Sequence, residues 1–233
     1  MIEIVYEDAE LLAVNKPAGL LVHRSAIAAD ETDFLLERLA RQIGGTLHLA
    51  HRLDRATSGI VLLAKSRDIA AALGRQFMAR RIAKRYLAVV RGWPEVEGVI
   101  DYALPDVRER SPRKPALTHW HTLATATVPI ALGRYPEQRY ALVEVQPETG
   151  RYRQIRKHFH HVSHHLIGDT SHGRGDHNRL WRMHFQMHRL LLHAWRLELT
   201  HPLNGTPLAL QASLDETWRR VLDLMNWNAA LAC

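Results

Sequence analysis

The chain of 233 residues holds a single cysteine, Cys233, at its last position. One thiol builds no intramolecular disulfide framework, and it rules out zinc sites made of paired cysteines. No apolar run approaches the ~18 residues that a membrane-spanning helix needs. The opening MIEIVYEDAE is acidic and lacks a basic segment followed by an apolar one, so no secretory signal is expected. Tandem repeats, low-complexity tracts and long linkers are missing too. These absences lead to the expectation of one reduced, cytoplasmic domain over residues 1–233, with no membrane and no obligate protein partner.

What is there is a core and an excess of positive charge. Apolar residues make up 46% of the chain, enough to exclude disorder as its main state. Lysine and arginine number 31 against 24 acids, a formal charge of +7. That balance favours a polyanionic partner, because phosphates attract cationic faces.

Short strands are predicted at 2–6, 11–14, 47–50, 60–64, 84–91, 117–128, 139–145, 191–199 and 207–212. A helix is expected over 33–43, where Phe34, Leu35, Leu39 and Ile43 keep helical spacing and Gly44-Gly45 ends the run. A second is expected over 68–83, with Ala72, Gln76 and Ala79 as a weakly apolar face. A third should run from Gly150 to about Val162. In the last, Asp215 caps a helix that turns Trp218, Leu222 and Met225 to one side. Pro105 to Pro115 reads as a loop. Helices punctuate the strands irregularly, which implies an α+β fold with a mixed or antiparallel central sheet rather than a βαβ repeat.

One short segment carries an acid in an unusual place. HRLDRATSGIVLLAKS, His51 to Ser66, holds Asp54 as its only acid, between Arg52 and Arg55 in a polar turn before an apolar strand. HRLD differs from the HRD loop of protein kinases by an inserted leucine, and the remaining kinase motifs are missing. A glycosidase needs two facing carboxylates, and the neighbourhood of Asp54 supplies one. His158, His161 and His165 could share a helix face, yet no HExxH motif or cysteine joins them, so packing or phosphate contact is favoured over metal binding. GRYRQIRKH, Gly150 to His158, is the strongest basic element. If helical, it is either a solvated basic face or a source of one inward arginine that keeps a carboxylate ionised and oriented.

HRLDRATSG resembles the HRLDxxTSG signature of pseudouridine synthases of the RluA type. LLAVNKPAGLLVH, KRYLAVVRG, ETGRYRQIRKH, HHLIGD and LLHAWRLELTHP match further family elements in order, so the resemblance covers nearly the whole chain. It implies the pseudouridine synthase fold, with a mixed or antiparallel sheet flanked by helices and an RNA-binding cleft. No S4-type RNA-binding segment is expected before the catalytic part. The implied reaction detaches uracil from its ribose carbon, rotates it and reattaches it through carbon, with neither cofactor nor metal. VHRS at 22–25, ALGRYPEQRYALVEVQPETG at 131–150 and the histidine-rich tail of the basic helix point to the member that acts on uridine 65 of tRNA.

On this resemblance Asp54 is the nucleophile, attacking either sugar or base. Tyr86 matches the tyrosine that stacks on the target base, and Arg156 the arginine that pairs with the nucleophile. Arg52 matches the arginine that fills the space left by the extruded nucleotide. Ile60 and Leu192 help to wall the pocket while serving the core. Arg113 and Lys114 in the 105–115 loop and Arg174 in the stretch 171–182 are candidate RNA contacts, with Gly173 and Gly175 allowing close backbone approach. Relatives often carry histidine where this chain has Arg153, which is therefore not assigned to catalysis. Two other functions fit the residues: modification of ribosomal RNA, and an RNA-binding or folding module without catalysis.

Overall fold

The computed structural model describes residues 1–24, 31–105 and 111–231. The chain divides into two compact units, 1–84 with 193–213, and 85–192 with 214–233.

In the first unit the chain runs β1 (Glu3–Glu7), β2 (Leu11–Lys16), α1 (Leu35–Ile43), β3 (His48–Leu49), β4 (Ser58–Ala64) and α2 (Arg67–Met78). In the second it continues through β5 (Ala83–Arg91), β6 (Glu97–Asp101), β7 (Leu104–Pro105), β8 (Arg113–Lys114), β9 (Leu117–Val128), β10 (Gln138–Pro147), α3 (Gln154–His161) and α4 (Gly175–Phe185). It then returns to the first unit as β11 (Leu192–Thr200) and β12 (Pro207–Gln211) and closes the second with α5 (Glu216–Met225).

The first unit's sheet is mixed. β2 lies antiparallel between β1 and β4, whereas β11 joins β4 in parallel and carries β12 antiparallel. Its central strands are apolar without alternation because both faces are covered. Leu11, Ala13, Ile60, Leu62 and Ala64 pack with Ile69 and Leu73 of α2. The intervening Leu12, Val14, Val61 and Leu63 pack with Leu35 and Leu39 of α1. The second unit is antiparallel, with β10 between β5 and β9, and β6 on the far side of β9. Its buried aromatics include Trp181, whose ring lies edge-on to Tyr140 at 5.1 Å. Asp215 caps α5 by accepting from the Trp218 N–H, and Trp218, Leu222 and Met225 are buried.

Several elements depart from the sequence expectation. α2 stops at Met78, because Arg80 takes a left-handed φ of 56° and the Arg81 N–H closes onto the Gln76 carbonyl. Its buried side is Ile69 and Leu73, not the Ala72–Gln76–Ala79 face. α3 begins at Gln154, four residues late, since Arg153 is itself left-handed at φ 54°. The stretch 171–182, read as a contact loop, turns into α4 at Gly175. Part of the 105–115 loop pairs as β7 with β8; residues 106–110 lie outside the described residues.

Candidate active site

The first unit shapes the Asp54 turn through its backbone. The Thr57 N–H donates to the Asp54 carbonyl at 3.1 Å, closing a tight turn with half-buried Asp54 at its first position. Two supports hold that turn. Lys16 is fully buried, and its ammonium donates to the carbonyls of Pro17, Leu20 and Arg55 at 2.8, 2.8 and 3.1 Å. The Gly19 N–H also donates to the Arg55 carbonyl, while Arg55 Nε returns a bond to the Gly19 carbonyl. NKPAG is thus the bed on which the turn rests.

The other support is His51, whose Nε2 accepts from the Leu62 N–H of β4 at 3.0 Å. That bond needs an unprotonated nitrogen. Burial, aided by the nearby charge of Lys84, lowers the imidazole pKa to about 4, so it stays neutral. Behind the turn, Ser58 Oγ shares a hydrogen bond of 2.9 Å with His193 Nδ1 in the interior. Gly59 sits at φ 110°, and a Cβ there would come within 2.2 Å of the Ala194 carbonyl oxygen. The serine and glycine of TSG therefore serve the β4–β11 crossing. Arg52 is exposed on the turn, and its charge adds to burial in holding the His23 imidazole below its usual range.

The second unit carries Tyr86 and Arg156. Tyr86 is half-buried on β5, opposite Val145 of β10. Arg156 is 5% exposed, and its Nε and Nη2 both donate to the Asp169 carboxylate at 2.7 Å. Gln154 to Phe159 are all buried, so α3 is no solvated basic helix. Asp169 also accepts the Ser171 and His172 N–H groups on Oδ1, and its carbonyl takes the Gly173 N–H. Burial alone would raise this carboxyl; the Arg156 guanidinium and the two amides outweigh it and hold Asp169 below the usual carboxylate range. Gly173 is small because a Cβ would lie 2.1 Å from the Asp169 carbonyl oxygen. Packing inside the loop, rather than an approaching ligand, requires it.

The remaining cationic candidates separate. Arg113 donates to the Ala103 carbonyl at 2.9 Å and lies over the Tyr102 ring, while Lys114 is exposed beside it on β8. Arg174 is exposed and bound to Asp176 at 2.7 Å. Ile60 and Leu192 are buried at 1% and 3%. The histidines also disperse: His158 Nε2 contacts the Tyr102 carbonyl, His161 stacks on the Tyr102 ring at 3.7 Å, and His165 lies past the end of α3. Among the described residues no group of three or more histidine, cysteine, aspartate or glutamate side chains is arranged to hold a metal ion. Among them also, no helix is long and apolar enough to cross a membrane.

A family model described as RNA pseudouridylate synthase matches residues 10–161. The chain belongs to the RNA pseudouridylate synthase family. It is 46% identical over 240 residues to a protein of Pectobacterium carotovorum named tRNA pseudouridine synthase C, covering 99% of this chain and 64% of that protein. It thus spans just under two thirds of the length of that relative. A Salmonella typhi protein of the same name is also 46% identical, with 99% of this chain and 92% of that one covered. Among solved structures, human RNA Pseudouridylate Synthase Domain Containing 4 superposes with a TM-score of 0.74 at 25% identity, covering 96% of this chain and 93% of the other. The fold is accordingly the α+β fold of pseudouridine synthases.

Sequence reasoning missed two residues of this family member's architecture. Asp169 stands in the HHLIGD element, where an acid beside a glycine looks like ordinary turn chemistry, and only the fold brings it to Arg156. His177 accepts from Arg91 Nε at 3.0 Å and shares a 3.0 Å hydrogen bond with the Tyr140 hydroxyl. No sequence signal joins those three, which come from β5, β10 and α4.

Proposed function

We propose that this chain isomerises a uridine of tRNA to pseudouridine, at position 65, with Asp54 as the nucleophile. The observation that carries the reading is the 46% identity, over 99% of the chain, to proteins named tRNA pseudouridine synthase C. The Asp54 turn supports it chemically: a carboxylate attacks well only when it is ionised and held still, and Lys16 and His51 fix the backbone that presents it. Arg156, oriented through Asp169, is the group that pairs with Asp54, and Tyr86 supplies the flat face on which uracil stacks. Arg52 occupies the space left by the extruded nucleotide, offsetting the few kcal/mol that extrusion costs. Arg113, Lys114 and Arg174 take backbone phosphates.

The reaction balances without a co-reactant. The bond from ribose C1′ to uracil N1 breaks, C1′ bonds to C5, and the C5 proton leaves as N1 gains one. The cytoplasm, where tRNA is abundant, is the matching compartment.

The test uses unmodified tRNA transcripts without added cofactor, and maps pseudouridine by carbodiimide-dependent reverse-transcription stops. A stop at uridine 65 that disappears with Asp54→Asn is expected, with turnover falling about 10⁴-fold or more, the scale for loss of a nucleophile. A stop elsewhere removes the position assignment. Retained turnover in a folded Asp54→Asn protein removes the nucleophile.

A further inference from the structure

Arg153 combines an uncommon backbone conformation with a setting rich in cations. It adopts φ 54°, a left-handed backbone that costs a residue with a side chain about 1 kcal/mol or more and persists where function or packing demands it. Its Nη1 donates to Ser171 Oγ at 3.2 Å, and its guanidinium lies over the Tyr152 ring at 4.9 Å. Lys157 Nζ lies 5.6 Å from the centre of the same ring. Among the described residues, two atoms here are buried without a hydrogen-bond partner, Arg153 Nε and His172 Nε2. Buried polar groups are seldom left that way, and such orphans ask for a missing ligand or water.

The charge along the segment before Asp169 has one sign. From Thr149 to Gly168 the chain carries Arg151, Arg153, Arg156 and Lys157 and no acid. Asp169 closes the segment, but its carboxylate is spent on Arg156 and on the amides of Ser171 and His172. His172 is held below its usual range by burial; Asp169 opposes this, while Arg156, Arg153 and Lys157 reinforce it. The imidazole is therefore neutral near pH 7 and can donate one hydrogen bond from Nε2. Cations, a hydroxyl and a neutral imidazole beside a carboxylate already neutralised by Arg156 are the donor set of an oxyanion site.

We propose that Arg153, Lys157, Ser171 and His172 form a binding site for one phosphate group of the RNA backbone. The Arg153 guanidinium and the exposed Ser171 hydroxyl donate to its oxygens, and the half-buried His172 imidazole and the buried Lys157 ammonium line the site behind them. The inference deepens the proposed function, on which it rests for the identity of the polyanion. It gives Arg153 a role distinct from catalysis, that of fixing the register of the strand.

Equilibrium binding of a tRNA transcript to the full chain, titrated over a series of chloride concentrations, tests this. Removing one phosphate from the interface lowers the slope of log K against log salt by about 0.7 to 0.9. Arg153→Gln is expected to weaken binding about tenfold and to lower the slope by about that amount. Arg153→Lys, which keeps the charge, should restore the slope. Ser171→Ala, at an exposed position, should weaken binding about threefold without changing the slope. Inorganic phosphate, at ionic strength matched with chloride, should displace tRNA from the parent more readily than from Arg153→Gln.

An unchanged slope in folded Arg153→Gln overturns the site. If that variant does not fold, equal phosphate competition in the parent and in Ser171→Ala overturns it instead. A parent that binds no tRNA overturns it as well. Because the readout is binding, the two readings fail separately. Normal turnover with an unchanged slope removes the phosphate site alone, and a changed slope without turnover on any tRNA removes the isomerase assignment alone.

Discussion

The two units hold their key charged residues by opposite means. The first unit fixes a piece of backbone: Lys16 reaches three carbonyls, His51 receives an amide, and Asp54 is carried by the turn they shape. The second unit fixes a side chain: the Arg156 guanidinium is clamped in two places by Asp169, both almost fully buried. A carboxylate with the proposed role of nucleophile gains from being mounted on a rigid turn. A group that must only present charge gains from a rigid partner. The second device is also the more fragile, because removing either member leaves a buried charge uncompensated.

Asp169→Asn breaks that contrast hardest. It strips the charge partner from Arg156 and weakens the loop that Asp169 organises, at an expected cost of 3–5 kcal/mol, about what breaking a buried pair costs. Denaturant unfolding measures it, and an unchanged midpoint would show that the pair adds nothing. The double variant Arg156→Met with Asp169→Leu should recover part of the stability, because an apolar pair packs without desolvated charge while the Ser171 and His172 amides still lack their acceptor. It should not recover turnover. Recovery of both would remove Arg156 from the proposed chemistry.

This pair also marks where the sequence stopped being legible. Most strands and helices could be read from apolar runs, though β6, β7 and β8 were not, and the Asp215 cap followed from its place before Trp218, Leu222 and Met225. Asp54 stood out because its motif is contiguous. Arg156 was visible as a residue but not in its company, since Asp169 reaches it from a loop 13 residues on, by a route that only the packing of α3 defines. The late start of α3 was hidden for a related reason: nothing in GRYRQ announces that Arg153 is left-handed. α4 was missed because glycines and charges at its start imitate a loop, while its reason for being helical is Trp181, buried against Tyr140.

Acid should act on each unit most strongly through its most shifted neutral histidine. His51 and His177 both have pKa values lowered to about 4, by burial first and then by a neighbouring cation, Lys84 for one and Arg91 for the other. The unfolded chain takes up these protons near pH 6.5. Between pH 6.5 and about 4 the unfolded state therefore binds more protons, and stability falls as pH falls, by on the order of 3 kcal/mol for each residue. His51→Gln keeps an acceptor for the Leu62 amide and removes the titration. Its melting temperature should change less between pH 7 and pH 4.5 than the parent's. An identical pH profile would mean that His51 is not neutral because of its site.

Lys16→Met tests the first unit's device. The methionine fills the volume but leaves the Pro17, Leu20 and Arg55 carbonyls short of a donor. The Arg55 carbonyl keeps the Gly19 amide, so the cost should be about 2 kcal/mol, within the range for unsatisfied buried groups. The turn then loosens, and kcat should fall more than the affinity for tRNA. A fall in affinity at constant kcat would place the effect of Lys16 in RNA binding and not in the presentation of Asp54.

The smallest effect belongs to the exposed cations, which neither device holds. Arg113 and Lys114 lie on β8, where Arg113 meets the Ala103 carbonyl and the Tyr102 ring. Solvent and salt already screen them, so replacing both with glutamine should leave the melting temperature nearly unchanged. If they meet phosphates, the salt slope of tRNA binding should drop by about 1.5, the amount for roughly two phosphates. The loss of affinity should be the same for every tRNA sequence, because a phosphate contact carries no base information. A drop confined to some tRNAs would instead mean that β8 lies against bases, and an unchanged slope would take this strand out of the RNA interface.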